Sequence, residues 1–258
     1  MSLVELRLRA ATTAPIACKI CDGPSALYGV TDLNRPCDIG LKAPALSGIP
    51  IYYRRCAACG FLFTDAFDDW EISEFKAHIY NDEYLAYDPE YETKRPSNNA
   101  TWVTKIWSAH KANVRLLDYG GGNDLLCTTL RANGFKEAIT YDPMVPEHAL
   151  QPTGKFNLIT CFETLEHLPD PIEGIGKIVE FVDDPGAVLY STLIQPDDFN
   201  QKGMSWWYVG PRNGHISIFT KEALAAAWGK YGFRTASFND NLHLAFRTLP
   251  ESWRMQVK

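Results

Sequence analysis

The sequence predicts an α/β protein in which a doubly wound, mostly parallel sheet follows a small module that carries cysteine pairs. Two observations lead to this prediction. Paired Cys-x-x-Cys knuckles lie near the N-terminus, and short apolar strands alternate with helices from residue 113 onward. Strands of a parallel sheet are short apolar runs because helices cover both faces of the sheet.

Length and composition narrow the class of protein. Of the 258 residues, 46% are hydrophobic and 22% are charged, which is typical of a globular protein and excludes wholesale disorder. The 25 Lys and Arg and 31 Asp and Glu give a net charge of −6, which argues against nucleic acid as a partner. No apolar run approaches the roughly 20 residues of a membrane span, and the N-terminus lacks the apolar core of a signal peptide. We therefore expect a cytoplasmic protein with no membrane partner.

Four of the seven cysteines form two knuckles, Cys18-Lys-Ile-Cys21 and Cys56-Ala-Ala-Cys59. In a chain without an export signal, such pairs are more typical of metal ligands than of disulfides. Neither knuckle lies between a strand and a helix, which argues against a thioredoxin-like redox pair. Four thiolates supply the closed tetrahedral site of structural zinc. The sequence therefore predicts a structural zinc site formed by Cys18, Cys21, Cys56 and Cys59.

Turn signals divide the chain into three consecutive segments. Residues 1–66 form the zinc-binding module, which begins with a mobile or loosely docked arm over 1–15 and has short strands at 51–55 and 61–63. A module of this size is stabilised by its metal rather than by a core of its own. Residues 67–112 form a helical connector, with helices that start near Glu71 and after Ser97. Residues 113–258 form the sheet domain.

The elements of the sheet domain follow from its apolar runs and its capping residues. A helix starts at Leu125 and ends at Asn133-Gly134, and Thr220 caps a later helix. The expected strands are 114–119, 138–142, 156–162 and 187–192, with a closing pair of strands at 233–238 and 242–248. The other expected helices are 172–182 and 221–230.

The first of these strands runs into Asp118-Tyr-Gly120-Gly121-Gly122 and then into a helix, a pattern typical of nucleotide binding. Glycines let the backbone approach a ligand, and the helix N-terminus offers free amides. Asp142 ends the next strand, near the spacing of about 20 residues from Gly120 at which a carboxylate holds ribose hydroxyls. Because Leu125 stands where dinucleotide-binding folds have a third glycine, the bend alone does not identify the cofactor.

The next strand continues into Phe162-Glu163-Thr-Leu-Glu166-His167-Leu-Pro-Asp170-Pro171. With this segment, the chain from residue 113 to the C-terminus resembles the class I S-adenosylmethionine-dependent methyltransferases. Their Asp-x-Gly-x-Gly bend, second-strand acid and Glu-His-Leu-x-Asp-Pro segment follow in this order. The resemblance implies a seven-stranded, Rossmann-like sheet. The paired knuckles resemble the zinc-ribbon-like N-terminal region of a subgroup that includes sugar C-methyltransferases.

The resemblance implies S-adenosylmethionine as the cofactor and assigns it two groups of residues. The residues that surround its methionine part and hold its ribose are Asp118, Gly120, Gly122 and Asp142. Those that border the cofactor and the substrate are Cys161, Phe162 and Glu163. The chain departs from the family in two places, since Asp124 replaces the third glycine of the bend and no third strand is evident between Asp142 and Phe156.

Methyl transfer from a sulfonium is an in-line displacement, and an O–H or acidic C–H acceptor also needs a base. His167 is the leading candidate because imidazole titrates near neutrality and this residue follows the end of a sheet strand. A structural histidine that caps the next helix or bonds a nearby carbonyl is the alternative. Glu163, Glu166 and His167 also resemble the divalent-ion pattern of quinone O-methyltransferases, although solvated or helix-capping acids explain them as well. The predicted catalytic residues are His167, Glu166 and His215.

A long aromatic segment, 195–214, separates the fourth strand from His215. It carries Trp206, Trp207 and Tyr208, and a loop of this length with so much aromatic surface is either a lid over a pocket or a packed flap. We expect a lid over the substrate, with Tyr80 and Tyr84 as further walls of the pocket.

The predicted function is methyl transfer from S-adenosylmethionine to an oxygen or carbon of a small, sugar-like or secondary-metabolite-like acceptor. The alternatives are an RNA methyltransferase, a non-catalytic zinc-ribbon interaction protein that binds the cofactor, and a nicotinamide-dependent oxidoreductase. The net charge of −6 opposes RNA, Glu166 and His167 favour an enzyme, and the Glu-His-Leu-Pro-Asp-Pro segment opposes the oxidoreductase. The zinc module either walls the acceptor site or mediates a homodimer, and the sequence leaves both open.

Overall fold

The structure, a computed structural model, describes residues 5–37 and 44–253. Of the predicted arm, residues 1–4 lie outside the described residues. The strands are β1 (Ile16–Ala17), β2 (Pro24–Asp32), β3 (Pro50–Cys56), β4 (Leu62–Phe63), β5 (Arg115–Tyr119), β6 (Glu137–Tyr141), β7 (Phe156–Phe162), β8 (Val182–Ser191), β9 (Ser217–Ile218), β10 (Arg234–Ser237) and β11 (Leu242–Phe246). The helices are α1 (Ile72–His78), α2 (Tyr84–Tyr87), α3 (Lys94–Ile106), α4 (Leu125–Ala132), α5 (Pro171–Val179), α6 (Phe199–Lys202) and α7 (Lys221–Gly229).

The described residues form two compact units rather than the three consecutive segments expected from the sequence. The knuckle unit comprises the described residues up to Pro89 together with Leu165–Ile172 and Leu193–Ala227. The parallel-sheet unit comprises Glu90–Thr164, Glu173–Thr192 and the described residues from Trp228 onward. The expected connector is therefore divided between the units, and the knuckle unit takes two segments from the expected sheet domain.

An antiparallel sheet of order β1-β2-β3-β4-β9 organises the knuckle unit. Each cysteine knuckle is the turn between two of its strands. Cys18 N–H donates to Gly23 O (2.8 Å) between β1 and β2, and Cys56 N–H donates to Phe61 O (2.9 Å) between β3 and β4. The short strands expected at 51–55 and 61–63 are β3 and β4.

The described part of the N-terminal arm is docked on the knuckle unit through its backbone. The guanidinium of Arg54, which has no exposed surface, donates to Thr12 O and Ala14 O, and Trp70 Nε1–H donates to Arg7 O. Asp65 accepts from Arg54 Nε at 3.3 Å and neutralises the buried charge. Buried charge pairs and satisfied carbonyls fix a segment that has no regular secondary structure.

The parallel-sheet unit contains six strands in the order β10-β11-β8-β7-β5-β6. β6, β5, β7 and β8 are parallel neighbours, whereas β11 is antiparallel to both β8 and β10. β10 therefore shares the direction of the parallel strands. The seven strands implied by the family resemblance are wrong for the described residues. Between β6 and β7 the short stretch 142–155 forms a 3₁₀ turn at Pro146–His148, and a further strand with its crossover helix needs many more residues.

Several element boundaries differ from the sequence prediction, among them the end of the helix expected at 172–182, which is α5 and ends at Val179. α3 begins at Lys94, before Pro96, rather than after Ser97. Proline is compatible with the first helical turn because the N–H that it lacks has no partner within the helix there. β8 begins at Val182 rather than at 187. The predicted cap of α7 is present, since Ala223 N–H donates to Thr220 Oγ1 at 3.0 Å.

A buried apolar core holds the strands of the parallel-sheet unit in place. α3 contributes Val103, α4 contributes Leu130, and the strands contribute Leu116, Leu158 and Leu189. Each such side chain stabilises the fold by about 1.5–3 kcal/mol relative to an exposed one. This packing fixes the carboxyl ends of β5, β6 and β7, where the predicted cofactor residues lie.

None of the helices in the described ranges has the length and apolar character required to cross a bilayer.

Candidate functional site

The bend after β5 has the backbone conformation for which its glycines are required. Gly120 and Gly122 lie in the left-handed region, with φ of +74° and +61°. A Cβ on Gly120 would lie 2.7 Å from Thr164 Oγ1, and one on Gly121 would overlap the carboxylate of Asp118. Side chains other than hydrogen are strained or excluded here, so a ligand can approach the backbone of the bend closely.

Asp142, at the end of β6, lies directly against this bend. Its Oδ2 accepts a hydrogen bond from Gly122 N–H at 3.0 Å, and its Oδ1 accepts one from Met144 N–H at 2.8 Å. The carboxylate is buried, with 7% of the residue exposed. Each carboxylate oxygen keeps a further lone pair that can accept from a ligand hydroxyl. The structure thus brings together two elements that the sequence placed on separate strands.

Asp118, at the end of β5, is buried beneath the bend and accepts a hydrogen bond from Thr160 Oγ1 at 2.7 Å. Burial raises its pKa to about 7, and the negative charges of Asp142 and Asp124 add to this shift. Without a compensating cation, the Asp118 carboxyl therefore holds a proton well above its ordinary range.

Asp124 occupies the position at which the methyltransferase bend has its third glycine, and it keeps the left-handed conformation, with φ of +64°. Its carboxylate accepts from Thr140 Oγ1 (2.5 Å), Thr128 Oγ1 (2.8 Å) and Arg131 Nη2 (2.6 Å). Although burial raises the pKa of Asp124, the bond from Arg131 and the two hydroxyl bonds lower it below its ordinary value. The substitution therefore keeps the glycine backbone and adds a side-chain link between α4 and β6.

Glu163, at the carboxyl end of β7, forms an ion pair that no sequence motif indicates. Its Oε2 accepts from Arg95 Nη1 at 2.7 Å, and both side chains are 29% exposed. Its N–H donates to Ser191 Oγ at 2.9 Å while its φ is +51°, a conformation that is costly for a residue with a side chain. Arg95 lies in the first turn of α3, where a basic residue has no motif to mark it. Of the two other predicted border residues, Cys161 has no exposed surface and Phe162 is 9% exposed.

The four knuckle cysteines converge on one point, and all of them are free thiols. Sγ of Cys21 lies 3.4 Å from Sγ of Cys59 and 3.5 Å from Sγ of Cys56. Sγ of Cys18 lies 3.7 Å from Sγ of Cys59. A tetrahedral ion with metal–sulfur bonds of about 2.3 Å holds its sulfurs about 3.8 Å apart. Hydrogen bonding from Cys59 lowers the pKa of Cys18 to about 5, whereas the same bond raises the pKa of Cys59 and burial raises that of Cys21. The donor set and its spacing fit zinc.

The predicted catalytic residues form a second cluster in the knuckle unit, which we call the Glu–His cluster: Glu166, His167 and His215. One side-chain ligand atom of each lies within 4.8 Å of the others. Glu166 has no exposed surface and its Oε1 accepts from Tyr208 O–H at 2.7 Å. The structure therefore brings together residues from two distant parts of the chain.

Backbone carbonyls determine which ring nitrogen of each histidine is protonated. Nδ1 of His167 lies 3.0 Å from Gly214 O, and Nδ1 of His215 lies 2.9 Å from Tyr208 O. Because a carbonyl only accepts, Nδ1 carries the proton in both rings. In the neutral imidazoles, Nε2 is then the basic nitrogen.

The aromatic segment 195–214 is a packed part of the knuckle unit rather than the lid expected from the sequence. Trp206 and Tyr208 are 5% and 4% exposed, and only Trp207 among the three is exposed, at 54%. The guanidinium of Arg35 donates to the carbonyls of Met204 and Trp206. Of the expected pocket walls, Tyr80 lies against His167, with ring centroids 5.9 Å apart.

The parallel sheet and its glycine bend define an α/β protein of a type that often binds nucleotides, and comparison with known proteins gives its family. A family model described as a methyltransferase domain matches residues 91–237, more than half of the chain. The chain therefore belongs to the methyltransferase-domain family.

Individual relatives match over shorter stretches or at low identity. The ubiquinone biosynthesis O-methyltransferase of Escherichia coli is 39% identical over 62 residues, which cover 24% of this chain and 23% of that protein. The likeness thus spans less than a quarter of the relative's length. A solved O-methyltransferase family protein of Burkholderia thailandensis matches with a TM-score of 0.50 at 13% identity, covering 69% of this chain and 64% of the other. Magnesium protoporphyrin IX methyltransferase of Synechocystis, with bound S-adenosylhomocysteine, matches with a TM-score of 0.43 at 17% identity, over 60% and 83% of the two chains.

The raised pKa of Asp118 predicts a pH-dependent loss of stability. Between the ordinary pKa and about 7, the folded protein holds a proton that the unfolded chain releases, so stability falls as the pH rises through this window. One pKa unit corresponds to about 1.4 kcal/mol. Between pH 4 and pH 7, the free energy of unfolding of Asp118→Asn should therefore rise by about 2–4 kcal/mol relative to that of the unsubstituted protein. Urea unfolding across this range measures the difference. The exposed Asp183→Asn is the control, and parallel pH profiles for Asp118→Asn and the unsubstituted protein would contradict the prediction.

Proposed function

We propose that this protein transfers a methyl group from S-adenosylmethionine to a small-molecule acceptor, with an oxygen as the methylated atom. The observation that supports this most strongly is the contact between the Asp142 carboxylate and the Gly122 amide, at 3.0 Å. It joins a ribose-binding acid to a glycine bend in one cradle, as the cofactor requires. The O-methyltransferases among the relatives favour oxygen, and the cysteine knuckles keep an acidic carbon as the second candidate.

In this proposal the carboxylates around the bend recognise a cationic nucleoside. Asp142 holds the ribose hydroxyls through its remaining lone pairs, and Gly120 and Gly122 let the backbone approach the chain of the methionine part. Asp118 lies beneath the bend, where the cofactor's positive charge would favour its ionised form. When bound, S-adenosylmethionine supplies an electrophilic methyl group on its sulfonium. Phe162 and Glu163 border the cofactor at the end of β7, with Cys161 buried behind them.

The Arg95–Glu163 ion pair matches the zwitterion at the amino-acid end of the cofactor. A guanidinium binds a carboxylate bidentately, and a carboxylate accepts from an ammonium group. Both side chains are partly exposed, and Glu163 is held in a strained conformation at the strand end, as is common for residues at ligand sites. We therefore assign Arg95 to the α-carboxylate and Glu163 to the α-ammonium of the cofactor.

The Glu–His cluster supplies the base. Nε2 of His167 accepts the proton of the acceptor hydroxyl as the oxygen attacks, because Nδ1 is occupied by its bond to Gly214 O. The Glu166 carboxylate, oriented by Tyr208, stabilises the imidazolium that forms. His215 is the second candidate for the same role, since its Nδ1 is likewise bonded to a carbonyl.

The four knuckle cysteines hold a structural zinc ion in this proposal. A closed set of four thiolates has no open coordination position for a substrate, so the ion stabilises the fold instead of taking part in the transfer. Four close thiolates without a cation would repel each other, which gives the cluster a physical need for the metal.

The cofactor proposal predicts selective binding by isothermal titration calorimetry. The protein should bind S-adenosylhomocysteine and not NADH. Asp142→Asn should lower the affinity for S-adenosylhomocysteine about 10-fold or more, because charge-assisted bonds to the ribose are lost. Asp183→Asn, an exposed acid in the same unit, is the control. Binding of NADH alone would refute the methyltransferase proposal, and equal affinity in Asp142→Asn would refute the ribose assignment.

The role of Arg95 is tested with a cofactor fragment that lacks the amino-acid part. Arg95→Met should lower the affinity for S-adenosylhomocysteine about 10-fold and change the affinity for 5′-methylthioadenosine by no more than about twofold. Only S-adenosylhomocysteine carries the carboxylate. Arg234→Met, an exposed arginine in the same unit, should change neither affinity. Equal losses for both ligands would show that Arg95 acts on the fold of the site instead of on the carboxylate.

The zinc proposal predicts close to one zinc ion per chain after purification without added metal. Replacing a ligand in each knuckle, as Cys18→Ser with Cys56→Ser, should remove the ion and lower the melting temperature, because binding of a structural metal contributes directly to folding. Elemental analysis and thermal unfolding measure the two effects. Cys37→Ser, outside the cluster, should retain the ion. An unchanged zinc content in the double variant would exclude the site.

A further inference from the structure

The knuckle unit contains both the cysteine cluster and the Glu–His cluster, and hydrogen bonds link the segments that carry them. The loop that carries Glu166 and His167, here called the base loop (166–169), is held by three of its carbonyls. Ile216 N–H donates to Glu166 O at 2.9 Å, Ser217 Oγ donates to Leu168 O at 2.7 Å, and Lys19 Nζ donates to Pro169 O at 2.8 Å.

Lys19 lies inside the first knuckle, between two of the cysteines, and its ammonium group has three acceptors. It donates to Pro169 O, to Thr64 O at 3.0 Å and to the Asp68 carboxylate, with which it forms an ion pair. The side chain is only 13% exposed, and its charge lies 5.3 Å from the centroid of the Phe63 ring. Burial of an ammonium group is costly unless its donors are satisfied. Each of its three N–H groups therefore fixes a different segment relative to the first knuckle.

The second knuckle is linked in the same way to the segment that carries His215. Tyr53, on β3 just before Cys56, donates its O–H to His215 O at 2.7 Å. After the knuckle, β4 pairs with β9, and Phe63 lies opposite Ser217. Thr220 Oγ1 donates to Cys59 O at 2.6 Å. Both histidine-bearing segments are thus bonded to strands or turns whose position the cysteines fix.

We infer that the cysteine cluster positions the Glu–His cluster, and that Lys19 is the positioning residue that transmits its geometry to His167. The inference rests on the proposed role of His167 as the base. A displacement of about 1 Å in a reacting group can lower the rate about 100-fold. The three anchored carbonyls of the base loop limit such a displacement of His167. The metal then stabilises the fold and also sets the position of the base.

The reactivity of His167 towards diethyl pyrocarbonate tests this inference without an acceptor. Lys19→Met removes the bond to Pro169 O, and carbethoxylation of His167, followed by peptide mass spectrometry, should accelerate about threefold or more as the loop opens locally. Lys19→Arg, which keeps the positive charge and N–H donors, should restore most of the protection. Lys202 is an exposed lysine of the same unit, and in Lys202→Met the carbethoxylation rate of His167 should equal that of the unsubstituted protein. Removal of zinc with a chelator should accelerate the reaction as Lys19→Met does.

Two further measurements distinguish a failure of this inference from a failure of the proposed function. Zinc content and S-adenosylhomocysteine affinity should stay within about twofold in Lys19→Met, because neither the ligands nor the cofactor residues are altered. If this variant does not fold, Ser217→Ala removes the bond to Leu168 O from another element and should give the same acceleration. Unchanged His167 reactivity in folded, zinc-loaded Lys19→Met would overturn the inference. Failure of the unsubstituted protein to bind S-adenosylhomocysteine would instead refute the proposed function.

Discussion

The hydrogen bond between Gly122 N–H and the Asp142 carboxylate is the contact on which the rest of the candidate cofactor site depends. It connects the ends of β5 and β6, which are parallel neighbours, and it forms where both strands meet the same edge of the sheet. Glycine is needed there because the bend lies in the left-handed region and passes close to Asp118 and Thr164. Asp124 extends the same arrangement, since its carboxylate ties the start of α4 to β6. The bend is therefore held from both sides before any ligand binds.

The two compact units contain different sets of candidate functional residues. The residues assigned to the cofactor lie in the parallel-sheet unit, whereas the cysteine cluster and the Glu–His cluster lie in the knuckle unit. A metal-binding module is usually described as an appendage to a catalytic domain. Here the proposed base residues and the proposed zinc ligands lie in the same unit, and hydrogen bonds connect the segments that carry them.

Motifs with local spacing were predictable from the sequence, and contacts between distant residues were not. The knuckles, the glycine bend and Asp142 were identified because each motif is defined by residues close in the chain or by a strand end, and the structure places each group together as expected. The Arg95–Glu163 pair has no periodic signal, since its partners are far apart in sequence. The family resemblance supplied a seventh strand that the short stretch after β6 has no room to form. The packed state of the aromatic segment depends on carbonyl contacts to Arg35, which composition does not reveal.

The pairing of β4 with β9 has a consequence for how the chain is made. The two strands are separated by more than half of the chain, so β4 has no partner on that side until Ser217 and Ile218 have left the ribosome. Contacts between residues so distant in sequence form late and slowly. Until then the backbone groups of β4 form an exposed edge, which other chains can pair with. A nascent chain or proteolytic fragment that ends before β9 would carry both cysteine turns and an open, apolar edge beside them.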